Sequence, residues 1–411
     1  MWHMMSRYSG SEKEVRPGLI VAKGSFAAMG GAERDLLRVI PSLTKIFSVK
    51  IATLHKVPEL ENLCKDLEIE LFAPKINWVL SKGVLSTILD TGIESASKAW
   101  LTCEGLIKTI NKIDFIHIVS GDGSFGLFKH IPEHVSCHLH LLEPHRGLHQ
   151  DVLHRNIDGK PKRSLWLTKL LLSRARKRDL EIIKKFNLRE KSLISSNSNY
   201  SSSMAKDVYG INTEVLWPCV DSSEFPRESN DDIENPYPSN NEYIVNIGKV
   251  SWVKGTWETI SMAAETNIEV AHVGGGDEKD LEKLGKYAKD LGVNLWIAPR
   301  LSSPELVSLM RNSRAIVSMA YGEAFGLTPI EAFSIGVPAI FVNEGGFRDT
   351  ITDRISGRLL KRNDISAWRI ALEEASLEGN RKEWTEAGRR RISELDLTPE
   401  SHARKIKEIL N

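Results

Sequence analysis

The sequence has few cysteines, no long apolar run and almost no net charge. Its cysteines are Cys64, Cys103, Cys137 and Cys219, and no two of them have Cys-x-x-Cys spacing. This distribution argues against a disulfide framework and a cysteine zinc site, and it fits a reducing compartment. Neither the first residues nor any later stretch has the apolar length of a signal-peptide core or a membrane span. We therefore expect a cytoplasmic protein.

The charges almost cancel, since 55 lysines and arginines accompany 54 acidic residues. This balance gives no general electrostatic case for nucleic acid as a partner. One segment departs from it, because residues 160–191 hold twelve basic and three acidic side chains beside a leucine-rich stretch. Such a pattern is typical of a basic amphipathic helix on anionic lipid, and also of a helix with one core face and one solvated face. Both interpretations stay open, so peripheral contact with the inner face of the membrane is an alternative.

Short β-branched apolar runs alternate with helical patterns through the whole chain. The runs are 18–23, 49–55, 115–120, 135–141 and 192–197, then 243–248, 268–274, 294–298, 315–320 and 338–343. Continuous apolar strands separated by helices predict an α/β fold, with doubly wound parallel sheets covered on both faces. Ligands bind such sheets at the carboxyl ends of the strands.

The alternation breaks in a polar, proline-containing stretch at 222–241, which indicates a linker or a long loop between two domains. We expect an N-terminal Rossmann-like domain over 1–225 and a second over 226–395. A C-terminal helix over 396–411 is expected to pack back on the first domain.

The segment GEAFGLTPIEAFSIGVPAI, residues 322–340, carries the strongest functional pattern, with Glu323 and Glu331 eight positions apart. Thr328 as N-cap and Pro329 at the first helical position would make Glu331 the acid of a capping box. The same geometry also offers free backbone N–H groups to a phosphate at the helix N-terminus. The flanking carboxylates would accept hydrogen bonds from sugar hydroxyls, as a nucleotide-sugar site requires.

Several further motifs follow in a set order: GGAERDL (30–36), SNSNYSS (196–202) with LWPCVD (216–221), GKVSWVKG (248–255), VGGGDE (273–278) and EGGFRDTITDRISGRLL (344–360). With the E-x₇-E element at 323–331, they resemble the retaining glycosyltransferases of family 4. The resemblance runs from about residue 18 to 360, with Lys249 where that family usually has arginine. It implies the GT-B fold, in which two Rossmann-like domains face a cleft.

The resemblance also implies roles for individual residues. Lys249 and Lys254 would neutralise the diphosphate of the donor, Glu323 would hold the transferred sugar, and Glu331 would bind the ribose. Lys249 keeps the charge of arginine but loses its bidentate fork. The implied donor site also includes small and backbone-contributing residues, namely Gly30, Gly31, Gly248, Gly274, Gly275, Ala324, Phe325, Gly326, Leu327 and Thr328.

Seven of the twelve histidines lie between positions 130 and 154. His138 and His140 would share one face of a strand, a spacing that also suits a metal ion, but no further ligand is convincingly placed. The resemblance requires no metal for the donor, so we expect none and no cofactor. It makes His140 a candidate catalytic residue near the acceptor, while the EPHR stretch makes His145 and Arg146 candidates for acceptor binding.

Together these features predict a hexosyltransferase that moves a sugar from a nucleotide diphosphate sugar to an acceptor hydroxyl with retention of configuration. A lipid-linked glycan or a polysaccharide precursor is the acceptor that the basic segment favours, and a soluble acceptor is the alternative. Two other classes stay open. They are a nucleotide-sugar epimerase of the same fold and a catalytically silent nucleotide-sugar-binding protein.

Overall fold

The computed structural model describes residues 16–81, 91–220, 224–227 and 233–411. They form two parallel β-sheets. Seven strands make the first sheet: β1 (Gly18–Ser25), β2 (Ser48–His55), β3 (Glu70–Phe72), β4 (Phe115–Val119), β5 (Ser136–Leu142), β6 (Ser192–Ser196) and β7 (Glu214–Val215). Six strands make the second: β8 (Tyr243–Ile247), β9 (Glu269–Val273), β10 (Leu295–Ile297), β11 (Ala315–Ser318), β12 (Ala339–Val342) and β13 (Arg358–Leu360).

The strand order is β3-β2-β1-β4-β5-β6-β7 in the first sheet and β10-β9-β8-β11-β12-β13 in the second. Both orders reverse beside the first strand of the sheet, which is the doubly wound arrangement that leaves a ligand crevice at the carboxyl ends. In β1, Leu19 and Val21 enter one apolar core, and Ile20 and Ala22 enter another. The prediction of doubly wound sheets buried on both faces is therefore confirmed.

Helices follow most strands. In the first half they are Gly31–Ile46, Pro58–Asp66, Gly92–Trp100, Leu106–Ile110, Arg146–His149, Leu165–Leu171, Ser173–Asn187 and Asn199–Tyr209. In the second half they are Thr256–Thr266, Glu278–Asp290, Ser303–Arg311, Leu327–Ile335, Phe347–Thr350, Ile365–Ser376, Glu378–Leu395 and Pro399–Leu410. Within the described residues, no helix has both the length and the apolar character needed to cross a membrane.

The chain returns to the first sheet at its end. The side chain of Thr398 caps the helix Pro399–Leu410 by accepting a hydrogen bond from the backbone N–H of Ser401. Ala403 and Ile406 of this helix are buried in the core that covers one face of β1. Burial of these apolar side chains holds the last helix on the first domain, although residues just before it belong to the second.

An arm of the first domain reaches the second domain. A β-bridge between Arg155 and Pro161 closes the arm. Ile157 at its tip is buried in the core of the second domain, and Asp158 lies 2.7 Å from Lys283. These contacts fasten the two domains beside the cleft. Of the predicted linker 222–241, positions 222–223 and 228–232 lie outside the described residues.

The capping prediction for the E-x₇-E segment is wrong. The N-cap is Gly326, whose φ of 89° lies in the left-handed region, so the helix begins at Leu327. A Cβ at position 326 would lie 2.6 Å from the ring of Phe347, which explains why only glycine fits there. Thr328 therefore falls inside the first turn, and Glu331 lies too far along the helix to close a capping box.

Candidate active site

A cavity of about 1150 Å³ lies between the carboxyl ends of the two sheets. Both domains contribute charged side chains to it, in a region otherwise rich in apolar and backbone surface. From the first domain these are Lys23, Glu33, Asp35, Asp122, Glu143, Arg146 and Asp179, and from the second they are Lys254 and Glu323. Five predicted donor-loop residues also line the cavity, namely Ala324, Phe325, Gly326, Leu327 and Thr328.

Lys254 and Glu323 form an ion pair in this cavity, with Nζ 2.7 Å from Oε2. Burial alone would raise the pKa of Glu323, but the ammonium of Lys254 and the guanidinium of Arg146 outweigh it and lower that pKa. Glu323 is therefore a carboxylate at neutral pH and accepts hydrogen bonds. Gly255, the next residue, packs closely on the loop after β11, since a Cβ there would lie 1.9 Å from the backbone oxygen of Met319.

The loop that carries Glu323 rests against two glycines. The backbone N–H of Gly346 donates to the backbone carbonyl oxygen of Glu323 at 2.7 Å. A Cβ at Gly345 would lie 2.6 Å from the backbone nitrogen of Glu323. This close approach requires glycine, which accounts for Gly345 and Gly346 in the sequence. The contact holds the backbone of the loop that carries Glu323.

Glu143 lies on the opposite side of the cavity, immediately after β5. Arg146 Nε donates to Glu143 Oε2 at 2.9 Å. Arg146 Nη1 donates to the backbone carbonyl oxygen of Tyr321, in the second domain, at 3.2 Å. Burial raises the pKa of Glu143, and the nearby charge of Glu323 adds to this effect, while Arg146 opposes it. No role was predicted for Glu143 from the sequence, although it is the first residue of the EPHR stretch.

A second ion pair lies at the glycine-rich loop of the first domain. Lys23 Nζ lies 3.1 Å from Glu33 Oε1, and both side chains are buried. Glu33 Oε2 also accepts a hydrogen bond from the backbone N–H of Gly30 at 2.8 Å. Gly31 lines the cavity, whereas Gly30 does not. Neither Lys23 nor Glu33 was predicted from the sequence as a site residue, although Lys23 is the charged residue of an apolar strand and Glu33 lies within the GGAERDL motif.

Glu331 does not line the cavity, although it lies one helical turn after Leu327, which does. Burial raises the pKa of Glu331 to about 7, while the charges of Arg38 and Arg34 lower it and that of Glu224 raises it. Arg38 is itself paired with Glu224, with Nε 3.0 Å from Oε1. Glu331 therefore interacts with these charged side chains across the domain boundary.

Lys249 and the predicted glycines beside it are not part of the cavity lining. Lys249 is 60% exposed and lies 3.2 Å from Asp277. Gly248 and Gly274 pack together, since a Cβ at 274 would lie 2.5 Å from the oxygen of Gly248. Gly275 has a φ of 60° and open space around it. These residues lie on the loops after β8 and β9, at the same edge of the sheet as Lys254.

The structure corrects the prediction for His140. Its side chain is 2% exposed and does not line the cavity, because it points into the core beneath the cleft. Nδ1 of His140 and Nε2 of His138 both lie within 2.8 Å of the Ser195 hydroxyl, and burial lowers both pKa values well below 6.5. By contrast, His145 and Arg146 lie one turn beyond β5 and line the cavity.

The histidine-rich segment is distributed among separate contacts. His149 pairs with Asp179 at 2.8 Å, and His154 lies 2.8 Å from the oxygen of Gly147. Within the described ranges, no group of three or more His, Cys, Asp or Glu residues is arranged to hold a metal ion. His149 and His154 thus make structural contacts beside the cavity, whereas His138 and His140 lie in the core.

The sequence of the second domain is similar to known glycosyltransferases. Residues 228–391 match the family model described as glycosyl transferases group 1. The chain is 26% identical over 169 residues to a D-inositol 3-phosphate glycosyltransferase of Mycolicibacterium smegmatis, covering 39% of each chain. It is 36% identical over 142 residues to the protein of the same name from Paenarthrobacter aurescens, covering 32% of this chain and 35% of that one. The matched segments therefore span well under half of these relatives.

Solved structures resemble the chain over almost its whole length. A glycosyltransferase from Rickettsia africae has a TM-score of 0.66 at 17% identity, covering 96% of this chain and 98% of that one. Anabaena HepE, solved with UDP and glucose, has a TM-score of 0.66 at 15% identity, covering 96% and 99%. Sucrose-phosphate synthase from Thermosynechococcus elongatus has a TM-score of 0.68 at 16% identity, covering 95% of this chain and 98% of that one. The chain therefore has the GT-B fold, and its residues 228–391 carry the sequence pattern of glycosyl transferases group 1.

Proposed function

We propose that this protein is a retaining glycosyltransferase that moves a hexose from a nucleoside diphosphate sugar to a hydroxyl of an acceptor. The observation that carries the proposal is the Lys254–Glu323 ion pair at the N-terminal end of the helix Leu327–Ile335, inside the cavity between the two domains. The names of the relatives and the UDP bound to HepE support a nucleotide-sugar donor.

The chemistry follows from the charges in the cavity. Lys254 and the free backbone N–H groups at the start of the helix bind the donor diphosphate. Lys249, at the same sheet edge, reaches the outer phosphate oxygens once Asp277 releases it. Glu323, kept ionised by Lys254 and Arg146, accepts hydrogen bonds from hydroxyls of the transferred sugar. Glu331 lies farther along the helix and receives the ribose hydroxyls.

In the transfer step, the bond between the anomeric carbon and the diphosphate oxygen breaks, and a bond from that carbon to the acceptor oxygen forms on the same face. The departing phosphate oxygen takes the acceptor proton. Lys254 stabilises the negative charge that develops on the leaving group, which is the kind of electrostatic contribution that lowers such barriers. Arg146 and His145 lie on the first-domain side and orient the acceptor.

The acceptor side carries a surface suited to anionic lipid. The helix Leu165–Leu171 exposes Trp166 by 72% and Leu170 by 56%, an unusual display of large apolar side chains. Lys162, Arg163 and Arg174 flank this helix. Exposed aromatic and aliphatic groups ringed by cations bind the interface of an anionic bilayer. We propose that this surface, the residues 160–174, rests on the inner face of the membrane and presents a lipid-linked acceptor.

A thermal-shift panel of UDP, GDP, ADP, TDP and CMP, with and without magnesium, tests the donor site. A nucleoside diphosphate that stabilises the fold without metal supports the proposal, because binding to the native state raises its apparent stability. No shift with any nucleotide contradicts it. Product analysis with the matching sugar nucleotide then separates a transferase, whose turnover requires an acceptor, from an epimerase, whose turnover does not.

A further inference from the structure

A second cavity of about 550 Å³ lies beside the active-site cavity. Residues of the first domain, including Lys169 and Arg176, form one wall, and the second-domain loop with Arg348 forms the other. The two cavities adjoin, because Gly322 lines the second one and the next residue, Glu323, lines the first. His154 lines both. A ligand in the second cavity therefore lies next to the carboxylate that we assign to the transferred sugar.

The cations of this second cavity have no anionic partner among the described residues. Arg176 donates to the backbone oxygen of Leu148, and Arg348 donates to the side chain and the backbone of Asn343, which are neutral acceptors. In the part of the chain that the structure describes, Lys169, Arg176 and Arg348 have no carboxylate within ion-pair distance.

The acids that line the same cavity are already neutralised from outside it. Asp151 is paired with Arg155 at 2.5 Å, and Glu344 with Arg362 at 2.7 Å. Neither arginine lines the cavity. The cavity thus keeps a surplus of positive charge, although both acidic and basic side chains line it. Guanidinium and ammonium groups that converge on one space bind phosphate oxygens strongly.

We infer that the second cavity binds a phosphate group of the acceptor. This inference rests on the proposed function, since it names the class of acceptor that the glycosyltransferase site serves. Lys169 supplies a mobile point charge, and Arg348 supplies N–H groups from the opposite domain. A phosphate held between them joins the two domains, so its binding positions the acceptor hydroxyl near Glu323 at the same time.

The position of Lys169 relates this cavity to the surface of residues 160–174. Leu165, Thr168 and Lys169 line the cavity, while Trp166 and Leu170 on the same helix are exposed. One short helix therefore offers a phosphate contact on one side and an apolar contact on the other. The phosphate belongs either to a lipid whose chain lies along Trp166 and Leu170 or to a water-soluble phosphate ester.

Calorimetric titration with inorganic phosphate tests the site, with the donor site first saturated by the nucleotide that stabilises the protein. The variant is K169Q/R348Q, and the matched control is K177Q/R354Q. The control removes the same charges from exposed positions outside the cavity. We expect phosphate affinity to fall about tenfold or more for each cavity cation removed, and to be unchanged in the control. Nucleotide affinity stays the same in both.

Two results overturn the inference. One is equal phosphate binding by K169Q/R348Q and its control, and the other is phosphate binding that disappears once nucleotide fills the donor site. If no nucleotide binds, the titration is made without it. Phosphate binding that then depends on Lys169 and Arg348 supports the site, while the proposed donor function fails separately. The single variant K169Q, at an exposed position, serves the same comparison if the double variant does not fold.

Cosedimentation with phosphatidylcholine vesicles, with and without phosphatidic acid, distinguishes the two sources of phosphate. Greater loss of phosphatidic acid binding by K169Q/R348Q than by K177Q/R354Q assigns the cavity to a lipid phosphate. Equal vesicle binding by the two variants, together with the loss of inorganic phosphate binding in the first, assigns it to a soluble phosphate ester. Because the two variants have the same net charge, the general attraction of a basic protein to an anionic membrane is equal in both and does not affect the comparison.

Discussion

Nζ of Lys254 lies 2.7 Å from Oε2 of Glu323 across 69 residues of sequence. The two residues meet because β8 and β11 are adjacent parallel strands, and the loops after them leave the sheet at the same edge. Lys254 favours the ionised form of Glu323, since its ammonium lowers the pKa of the carboxyl group.

Replacement of Glu323 by glutamine removes the charge and keeps the shape. We expect E323Q to lose about a hundredfold in the rate of sugar transfer, because an electrostatic contact to the reacting sugar is lost. The melting temperature and circular dichroism stay close to those of the wild type. Release of nucleotide in the presence of acceptor measures the rate, and E282Q, on an exposed helix surface, is the control. Transfer at the wild-type rate in E323Q would refute this role.

The two lysines of the GKVSWVKG motif are expected to contribute unequally to the affinity for a nucleoside diphosphate. Lys254 lies in the cavity, whereas Lys249 is exposed and paired with Asp277. We expect K254Q to weaken nucleoside diphosphate binding about tenfold or more and K249Q to weaken it less, with both effects shrinking at high salt. Titration calorimetry measures the affinities, with K289Q as the control. A larger loss in K249Q would show that the loop after β8 rearranges around the donor.

Glu331 gives the stability a specific pH dependence. Burial raises the pKa of Glu331 from 4.5 to about 7. The folded state therefore keeps this proton to a higher pH than the unfolded state, and the stabilisation is lost as pH rises from about 4.5 through 7. In urea titrations, E331Q should show a smaller fall in the free energy of unfolding over this range than the wild type. Parallel pH profiles for the two proteins would contradict the assignment, and E282Q should follow the wild type.

The exposed apolar side chains of the helix Leu165–Leu171 are expected to bind membrane. W166S/L170S should lower the partition onto phosphatidylserine-containing vesicles by about tenfold, since two large apolar side chains lose their burial in the bilayer interface. Nucleotide binding is unaffected. I370S, another exposed apolar position, is the control. If the wild type does not bind vesicles even at low salt, or if W166S/L170S binds them as well as the wild type, this surface is not the membrane contact.

Local patterns predicted most of the two sheets. All ten apolar runs became strands within one or two residues of the expected bounds, because an apolar run between helices has few other stable placements. The strands that the patterns missed, β3, β7 and β13, have two or three residues each and lie at or near sheet edges. Such short edge strands depend on their neighbours for pairing, and their own residues carry little signal.

Side-chain direction was the point at which local reasoning failed. The alternation HLH correctly put His138 and His140 on one face of β5, but both sides of a fully covered sheet are interior. Only the packing of β5 between β4 and β6 shows that this face contacts Ser195 rather than the cleft. For the same reason Glu143, three positions after His140, went unnoticed although it lines the cavity.

The sequence by itself determined the doubly wound sheets, the order of the loop motifs and the candidate residues Glu323, Lys254 and Arg146. These follow from local periodicity and from residue types that loops require. The tertiary structure decided which charges meet, since the pairing of Lys254 with Glu323 and the surplus of cations beside Lys169 join distant segments of the chain. Electrostatic interactions depend on distance in space and on burial, and neither quantity is contained in the spacing of residues along the sequence.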